Sequence, residues 1–399
     1  MSRTTRRFVI ASALSGLLFV AACGGGSSSD SATDDTAAPT TTVEPEPTMK
    51  VLLIGFPMVG KSTLYRAAAG GEAKGDVTAV PVPDPRFDRI VAQVKPKKAT
   101  PATVTLADDG EALAPTGKMF SNKLLEAAKK AEVLLHVVRA FESDFVPHHA
   151  DVNPARDRES VDVEMVLTDL AIVENRLERL AKSQNVKSPG HPDYLEKRLF
   201  ERLKPVLEEG TPIRAMEFDE EETKIVKNFQ FVSAKPCVVA FNVGEADVSN
   251  PPAAVAKEIE TLRASGTVAF AVSANLEEEL AQLDANDRAE FLAGYGLTES
   301  AGAKVVQAVY GALGLITFFT AGENDTRAWP LRAGSTSLKA AGTIHNDIAK
   351  GFIRAEVVHY ADYDEAGSLD AAYKAGKMSL EGKEYVIQDG DLLHIRTSA

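Results

Sequence analysis

Apolar positions along this chain follow three different rhythms. Unbroken apolar runs occupy residues 51–54, 238–241 and 269–272, a run interrupted only by His136 occupies 133–138, and residues 103–106 read as a further strand. Runs this short and this continuous predict strands covered on both faces, as in a parallel sheet. A second rhythm places Val163, Val166, Leu170, Val173, Leu177 and Leu180 at alternating spacings of three and four, a heptad seam of the coiled-coil kind. Leu195, Leu199, Leu203 and Val206 resume it after the breaker Ser188-Pro189-Gly190-His191-Pro192, so two antiparallel helices are predicted. From residue 315 onward, short β-like segments alternate with glycine turns at 316–320, 327–331, 353–358, 385–387 and 392–395, with a helix near 341–349. The fold predicted is α/β, with an inserted antiparallel helical hairpin and a small β-rich domain at the C-terminal end.

The front of the chain does not fit these rhythms. Arg3, Arg6 and Arg7 precede an apolar stretch over 8–22 that ends at Cys23, the layout of a secretory signal. Val20-Ala21-Ala22-Cys23 resembles a bacterial lipobox, which makes Cys23 a candidate for lipidation. Residues 24–48 are almost all Gly, Ser, Asp, Thr, Ala, Pro and Glu, a composition that cannot bury enough apolar surface to order itself, and they read as a linker. Met49 then opens the first strand and would serve as an initiator methionine. Two locations follow: cytoplasmic for a body starting at Met49, or exported and lipid-anchored at Cys23.

Composition narrows the class. The 399 residues carry a net charge of −13, which argues against broad non-specific binding to nucleic acid and leaves room for a local basic patch. Two cysteines exclude a disulfide framework, and Cys237 reads as a buried strand thiol.

The chemistry concentrates after the first strand. Gly55-Phe56-Pro57-Met58-Val59-Gly60-Lys61-Ser62-Thr63 fits G-x-x-x-x-G-K-[ST], with a strand before it and a helix after it. Glycines let the backbone N–H groups converge on phosphate oxygens, and the helix N-terminus adds partial positive charge. Lys61 is expected on the β- and γ-phosphates and Ser62 on Mg²⁺, with Thr63 near the α-phosphate. A carboxylate for the magnesium shell is expected at the end of the strand at 103–106; Ala107 leaves Asp108 or Asp109 for it, Asp108 lying nearer the strand. For the base, Asn242-Val243-Gly244-Glu245 stands where GTPases carry N-K-x-D, and Ser273-Ala274 resemble the loop that closes over it. Without that Lys and Asp the guanine code is weakened. His136, inside an apolar strand, reads as a core histidine.

Taken with Val80-Pro81-Val82-Pro83-Asp84-Pro85-Arg86, His136-Val137-Val138-Arg139-Ala140-Phe141-Glu142, Phe319-Thr320-Ala321-Gly322, Arg327-Ala328-Trp329, Lys350-Gly351-Phe352-Ile353-Arg354-Ala355 and Asp389-Gly390-Asp391, these motifs resemble the YchF / Obg-like ATPase family over residues 49–399. The resemblance implies a P-loop G domain in two parts, 49–156 and 231–312, around a helical insertion at 157–230, followed by a β-grasp (TGS) domain at 313–399. It also implies binding of ATP in preference to GTP with Mg²⁺, slow hydrolysis and ribosome association, with RNA contact through the C-terminal domain and the helical arm. Basic residues His345, Lys350, Arg354, Lys374, Lys377 and Lys383 suit phosphate-backbone contact there. The alternatives are a nucleotide-binding module that does not hydrolyse and a lipid-anchored protein with a repurposed fold. This sequence departs from the family pattern at Met58, where the family has an asparagine linked to potassium-assisted hydrolysis. It departs again in a shortened first switch with Thr78 alone, and in a second switch reduced to Ala114-Pro115-Thr116-Gly117-Lys118.

Overall fold

A computed structural model describes residues 49–398 apart from Glu72 and Lys74. The signal segment, the linker and lipidation at Cys23 lie outside the described residues. The strands described are, in chain order, β1 Lys50–Ile54, β2 Val77–Pro81, β3 Ala99–Thr100, β4 Thr103–Ala107, β5 Val133–Arg139, β6 Cys237–Asn242, β7 Val268–Val272, β8 Leu315–Thr320, β9 Thr326–Arg332, β10 Phe352–Val358, β11 Ser379–Glu381 and β12 Leu392–Thr397. The described residues divide into two compact units, one of 49–84 and 101–316, the other of 85–100 and 317–398.

The larger unit is built on a six-stranded sheet in the order β2-β4-β1-β5-β6-β7. All neighbours are parallel except β2, which runs antiparallel to β4 on the edge. The continuous apolar runs have the reason expected of them. Every residue of β5 and β6 is buried, as are Val51–Ile54 of β1, so helices cover both faces. Removing one such Leu or Ile side chain from water is worth about 1.5–3 kcal/mol. Parallel pairing also fixes the geometry of function, because it sets the carboxyl ends of β4, β1, β5, β6 and β7 along one edge. Cys237 is a free, buried thiol whose pKa burial pushes up to about 11.

The hairpin follows from local signals. Asn153 accepts from the Arg156 N–H at 3.1 Å and Pro154 opens the helix Pro154–Leu180. The partner helix is Pro192–Glu208, and Asp219 with Glu222 forms a capping box at the start of Glu220–Phe229. Val166, Val173, Leu199, Phe200, Leu203 and Leu207 share one apolar cluster. The heptad reading fails at two places. Val163 is 51% exposed, and Leu207, not Val206, fills the seam. The cause is a change of partner along the helix: Val161 and Met165, in its first half, are buried against the parallel-sheet core, not against the second helix.

The smaller unit has a mixed sheet in the order β11-β10-β12-β8-β9-β3, with the helix Ser337–Ile344 packed against β9 and β10. It differs from expectation in three ways. Residues 385–387 make a single bridge, Thr336 to Val386, not a strand. The helix near 341–349 is two, Ser337–Ile344 and Asn346–Lys350, broken at His345, whose side chain caps the second. Residues 85–100, expected inside the nucleotide domain, belong to this unit: β3 pairs parallel with β9, and Arg86 binds Asp389 at 2.8 Å. No helix among the described residues is long and apolar enough to cross a membrane.

Candidate functional site

The loop between β1 and the helix Lys61–Ala68 crosses the carboxyl edge of the larger sheet. Both of its motif glycines are steric requirements. A Cβ on Gly55 would lie 2.6 Å from the Val137 carbonyl oxygen, and one on Gly60 would lie 2.2 Å from Asn242 Nδ2. Gly60 also has φ +91°, and Met58 is held at φ +62°, a region a non-glycine residue seldom occupies. The loop therefore runs against β5 and β6 with no room for side chains at two points.

Lys61 and Ser62 both converge on Asp108, which follows β4. The Lys61 ammonium pairs with Asp108 Oδ1, and Ser62 Oγ donates to Oδ2 at 2.6 Å. Lys61 is 7% exposed and Asp108 6%. Burial pushes the Asp108 carboxyl up, but the hydrogen bonds from Lys61 and Ser62, the Lys61 charge and the Gly110 N–H together hold it below the usual carboxylate range. Asp108 supplies the negative charge that the buried Lys61 requires. Asp109 stands apart from that contact: its Oδ1 accepts from the Glu111 N–H at 3.1 Å and closes a turn.

The residues expected at the base lie at the ends of β6 and β7. Asn242, 4% exposed, donates from Nδ2 to the Val59 carbonyl at 2.9 Å and accepts at Oδ1 from the Ala274 N–H at 2.9 Å. It ties the phosphate loop to the loop after β7, and both ends of its amide are used in doing so. Val243 is 2% exposed within the apolar core, and Ser273 and Ala274 are buried. Glu245 begins a short 3-10 turn, Glu245–Asp247, and is half-buried. His136 is 2% exposed, and burial pushes its pKa down to about 4.

One group beside the loop escaped the sequence reading. Phe56 packs on His149 with ring centroids 4.6 Å apart, and His149 stands with His148 and Asp157. The available signals were the doubled histidine and the Asn-Pro helix start that puts Asp157 in the first turn, neither of which names a chemistry.

A profile of the C-terminal domain of YchF GTPases, described as a protein of unknown function (DUF933), matches residues 315–398. A ribosome-binding ATPase YchF of Bacillus subtilis is 37% identical over 359 residues, 86% of this chain and 98% of the relative. Obg-like ATPase 1 of Caenorhabditis elegans is 32% identical, over 88% of this chain and 92% of the relative. The solved structure of the Schizosaccharomyces pombe YchF GTPase superposes with a TM-score of 0.78 at 29% identity, covering 88% of this chain and 99% of that one. With that identity sustained across nearly the whole length of its relatives, the chain belongs to the YchF / Obg-like ATPase family.

Proposed function

We propose that this chain is a slow nucleoside-triphosphate hydrolase that binds ATP in preference to GTP and acts as a switch on the ribosome. The observation that carries the reading is the convergence of Lys61, Ser62 and Asp108 beside a loop whose glycines leave its backbone bare. Lys61 exchanges Asp108 for the β- and γ-phosphates when nucleotide arrives. Ser62 Oγ and Asp108 Oδ2, hard oxygens 2.6 Å apart, suit Mg²⁺, with Ser62 as direct ligand and Asp108 in the shell around it. Bound there, Mg²⁺ would neutralise charge on the phosphate oxygens. The rest of the grip belongs to Gly55, Phe56, Met58, Val59, Gly60 and Thr63 through their backbone N–H groups, and Pro57, which has none, shapes the loop.

The base preference rests on what replaces the guanine code. Glu245 stands in for the Asp that would accept from guanine, and Val243, buried, replaces the Lys that would cover it. Asn242 is committed to the loop tie, which leaves Glu245 and the Ser273–Ala274 backbone to face the base. Ribosome association is carried over from relatives named ribosome-binding ATPases. We assign the docking to the helical hairpin and to the C-terminal unit, with His345, Lys350, Arg354, Lys374, Lys377 and Lys383 as the basic residues for RNA phosphates, Lys377 exchanging Asp362, and His345 and Lys350 exchanging Asp347, for them. The cytoplasm is where this body finds ATP and ribosomes.

The test is hydrolysis of radiolabelled ATP by the full chain in sodium and in potassium buffer. Slow turnover, lost in Lys61→Ala and indifferent to potassium, is expected, because the Met58 side chain offers no oxygen to coordinate the ion. Marked potassium stimulation, or turnover that survives Lys61→Ala, would overturn it.

A further inference from the structure

Beside the phosphate loop, outside the Lys61–Ser62–Asp108 contact, His148, His149 and Asp157 bring three donor atoms within 4.8 Å of one another. Two separate elements hold them there. Arg139, buried at the end of β5, donates from Nε to the Phe141 carbonyl and from Nη1 to the Pro147 carbonyl, both at 3.1 Å, and so pins the loop that runs into His148. Asn153 caps the helix that presents Asp157. The side chains of His148 and Asp157 are 4% and 3% exposed, and that of His149 is 19% exposed. His148 Nε2 lies 2.9 Å from Asp157 Oδ2, and His149 Nε2 lies 3.4 Å from Oδ1. His148 Nδ1 is buried with no hydrogen-bond partner among the described residues, so hydrogen bonding satisfies only half of this ring.

We propose that His148, His149 and Asp157 form a site for a divalent transition-metal ion of the zinc type, coupled to the phosphate loop through the packing of His149 on Phe56. Two imidazoles and a carboxylate are a borderline-soft set, suited to Zn²⁺ and poorly suited to Mg²⁺, which takes oxygen ligands in octahedral array. Bonds of about 2.0–2.1 Å at tetrahedral angles set neighbouring donors about 3.3 Å apart. Here the two rings approach opposite oxygens of one carboxylate, His148 Nε2 at 2.9 Å from Oδ2 and His149 Nε2 at 3.4 Å from Oδ1, and with one ligand atom from each residue the three donors lie within 4.8 Å, so they close in modestly on an ion. Three protein ligands leave a fourth position for water, on the side where His149 is partly exposed. The competitor is Arg156, whose Nη2 lies 2.7 Å and Nε 2.9 Å from Asp157 Oδ1. Its side chain is 42% exposed and can turn out into solvent. Arg156 therefore holds the place of the ion, neutralising Asp157 until metal arrives. Bound metal would fix His149, and with it the ring of Phe56 in the phosphate loop.

The test titrates the full chain, free of nucleotide and magnesium, with Co²⁺ by absorption and with Zn²⁺ against a chromophoric chelator. One Co²⁺ per chain is expected, with ligand-field bands of nitrogen and oxygen donors and no thiolate charge-transfer band, which separates this site from Cys23 and Cys237. His149→Ala and Asp157→Asn should each weaken Zn²⁺ binding by about tenfold or more. Arg156→Ala should tighten it, an effect that a merely structural ion-pair network would not produce. His149→Ala keeps the test valid if Asp157→Asn fails to fold, because His149 is the least buried of the three. Unchanged Zn²⁺ affinity in His149→Ala, thiolate bands, or weaker binding in Arg156→Ala would overturn the proposal.

Discussion

Replacing Asn242 by Ala removes both hydrogen bonds that tie the phosphate loop to the loop after β7. The Val59 carbonyl and the Ala274 N–H are left in a region where both residues are 2% exposed. Each of the two stranded polar groups costs about 1–3 kcal/mol, so Asn242→Ala should lower the stability of this unit by about 2–6 kcal/mol, with water entering the vacated space favouring the lower figure. Gly60 makes the argument sharper. A Cβ there would lie 2.2 Å from Asn242 Nδ2, at a backbone φ of +91°. In the native background Gly60→Ala must both adopt a strained backbone and eject Asn242. In the Asn242→Ala background only the strain remains, about 1–2 kcal/mol. The two substitutions should therefore be sub-additive by about 2–3 kcal/mol, the upper part of the range of about 0.5–3 kcal/mol for directly coupled residues. Native-state hydrogen exchange over β1 and β6 reads this unit by itself. Additive effects, or an Asn242→Ala cost below about 0.5 kcal/mol, would refute the tie.

Acid sensitivity gives an independent check. The buried His136 ring stays neutral down to about 4, whereas in the unfolded chain it takes up a proton near 6.5. Its depressed pKa means that stability present above the unfolded value is lost as pH falls towards the folded one, about 2 kcal/mol between pH 7 and pH 5. Buried Asp169, raised to about 6, acts in the opposite sense and returns about 1 kcal/mol over the same interval, because its folded form takes up the proton first. His136→Leu should gain about 2 kcal/mol relative to the native chain between those pH values in urea unfolding, and parallel profiles would refute this. Asp108→Asn should depress ATP turnover far more than Asp109→Asn, since only Asp108 meets Lys61 and Ser62; equal effects in single-turnover assays would displace Asp108 from the metal shell. Val243→Lys combined with Glu245→Asp should shift competition binding towards GTP, and an unchanged ratio would mean that the base is read elsewhere.

The parts of this fold visible in the sequence are those with local causes. A buried strand, a glycine loop and a helix in immediate succession leave one reading for residues 50–68, and the strand before Asp108 needs nothing beyond its apolar pattern. Long-range pairing leaves no such mark. Nothing near residues 99–100 announces that they pair with 326–327, so residues 85–100 could not be assigned to the smaller unit in advance. The heptad count over the helix Pro154–Leu180 treated one helix as having one buried face. Its first half packs on the sheet and its second half on a helix, which is why Val163 is exposed. Residues 385–387 have the apolar composition of a strand but pair through a single bridge, Val386 to Thr336, flanked by hydrogen bonds at Tyr385 O and Ile387 N–H. Within the candidate site, spacing pointed to Lys61 and Ser62 and left Asp108 beside Asp109, and the contact of Asp108 with both Lys61 and Ser62 separates the two. The use of Asn242 as a tie depended on a contact across 183 residues, and the grouping of His148, His149 and Asp157 on a loop anchored by Arg139.

The central claim is that residues 55–63 hold a nucleoside triphosphate with Lys61 as its principal charge contact. Calorimetric titration of the full chain with ATP and with GTP, each with Mg²⁺, tests it most directly. ATP should bind at least as tightly as GTP, and Lys61→Ala should weaken both by about 10- to 100-fold, the loss expected when a charge-assisted contact of about 1.5–3 kcal/mol is removed. Unchanged ATP affinity in Lys61→Ala, or strong selectivity for GTP in the native chain, would contradict the account.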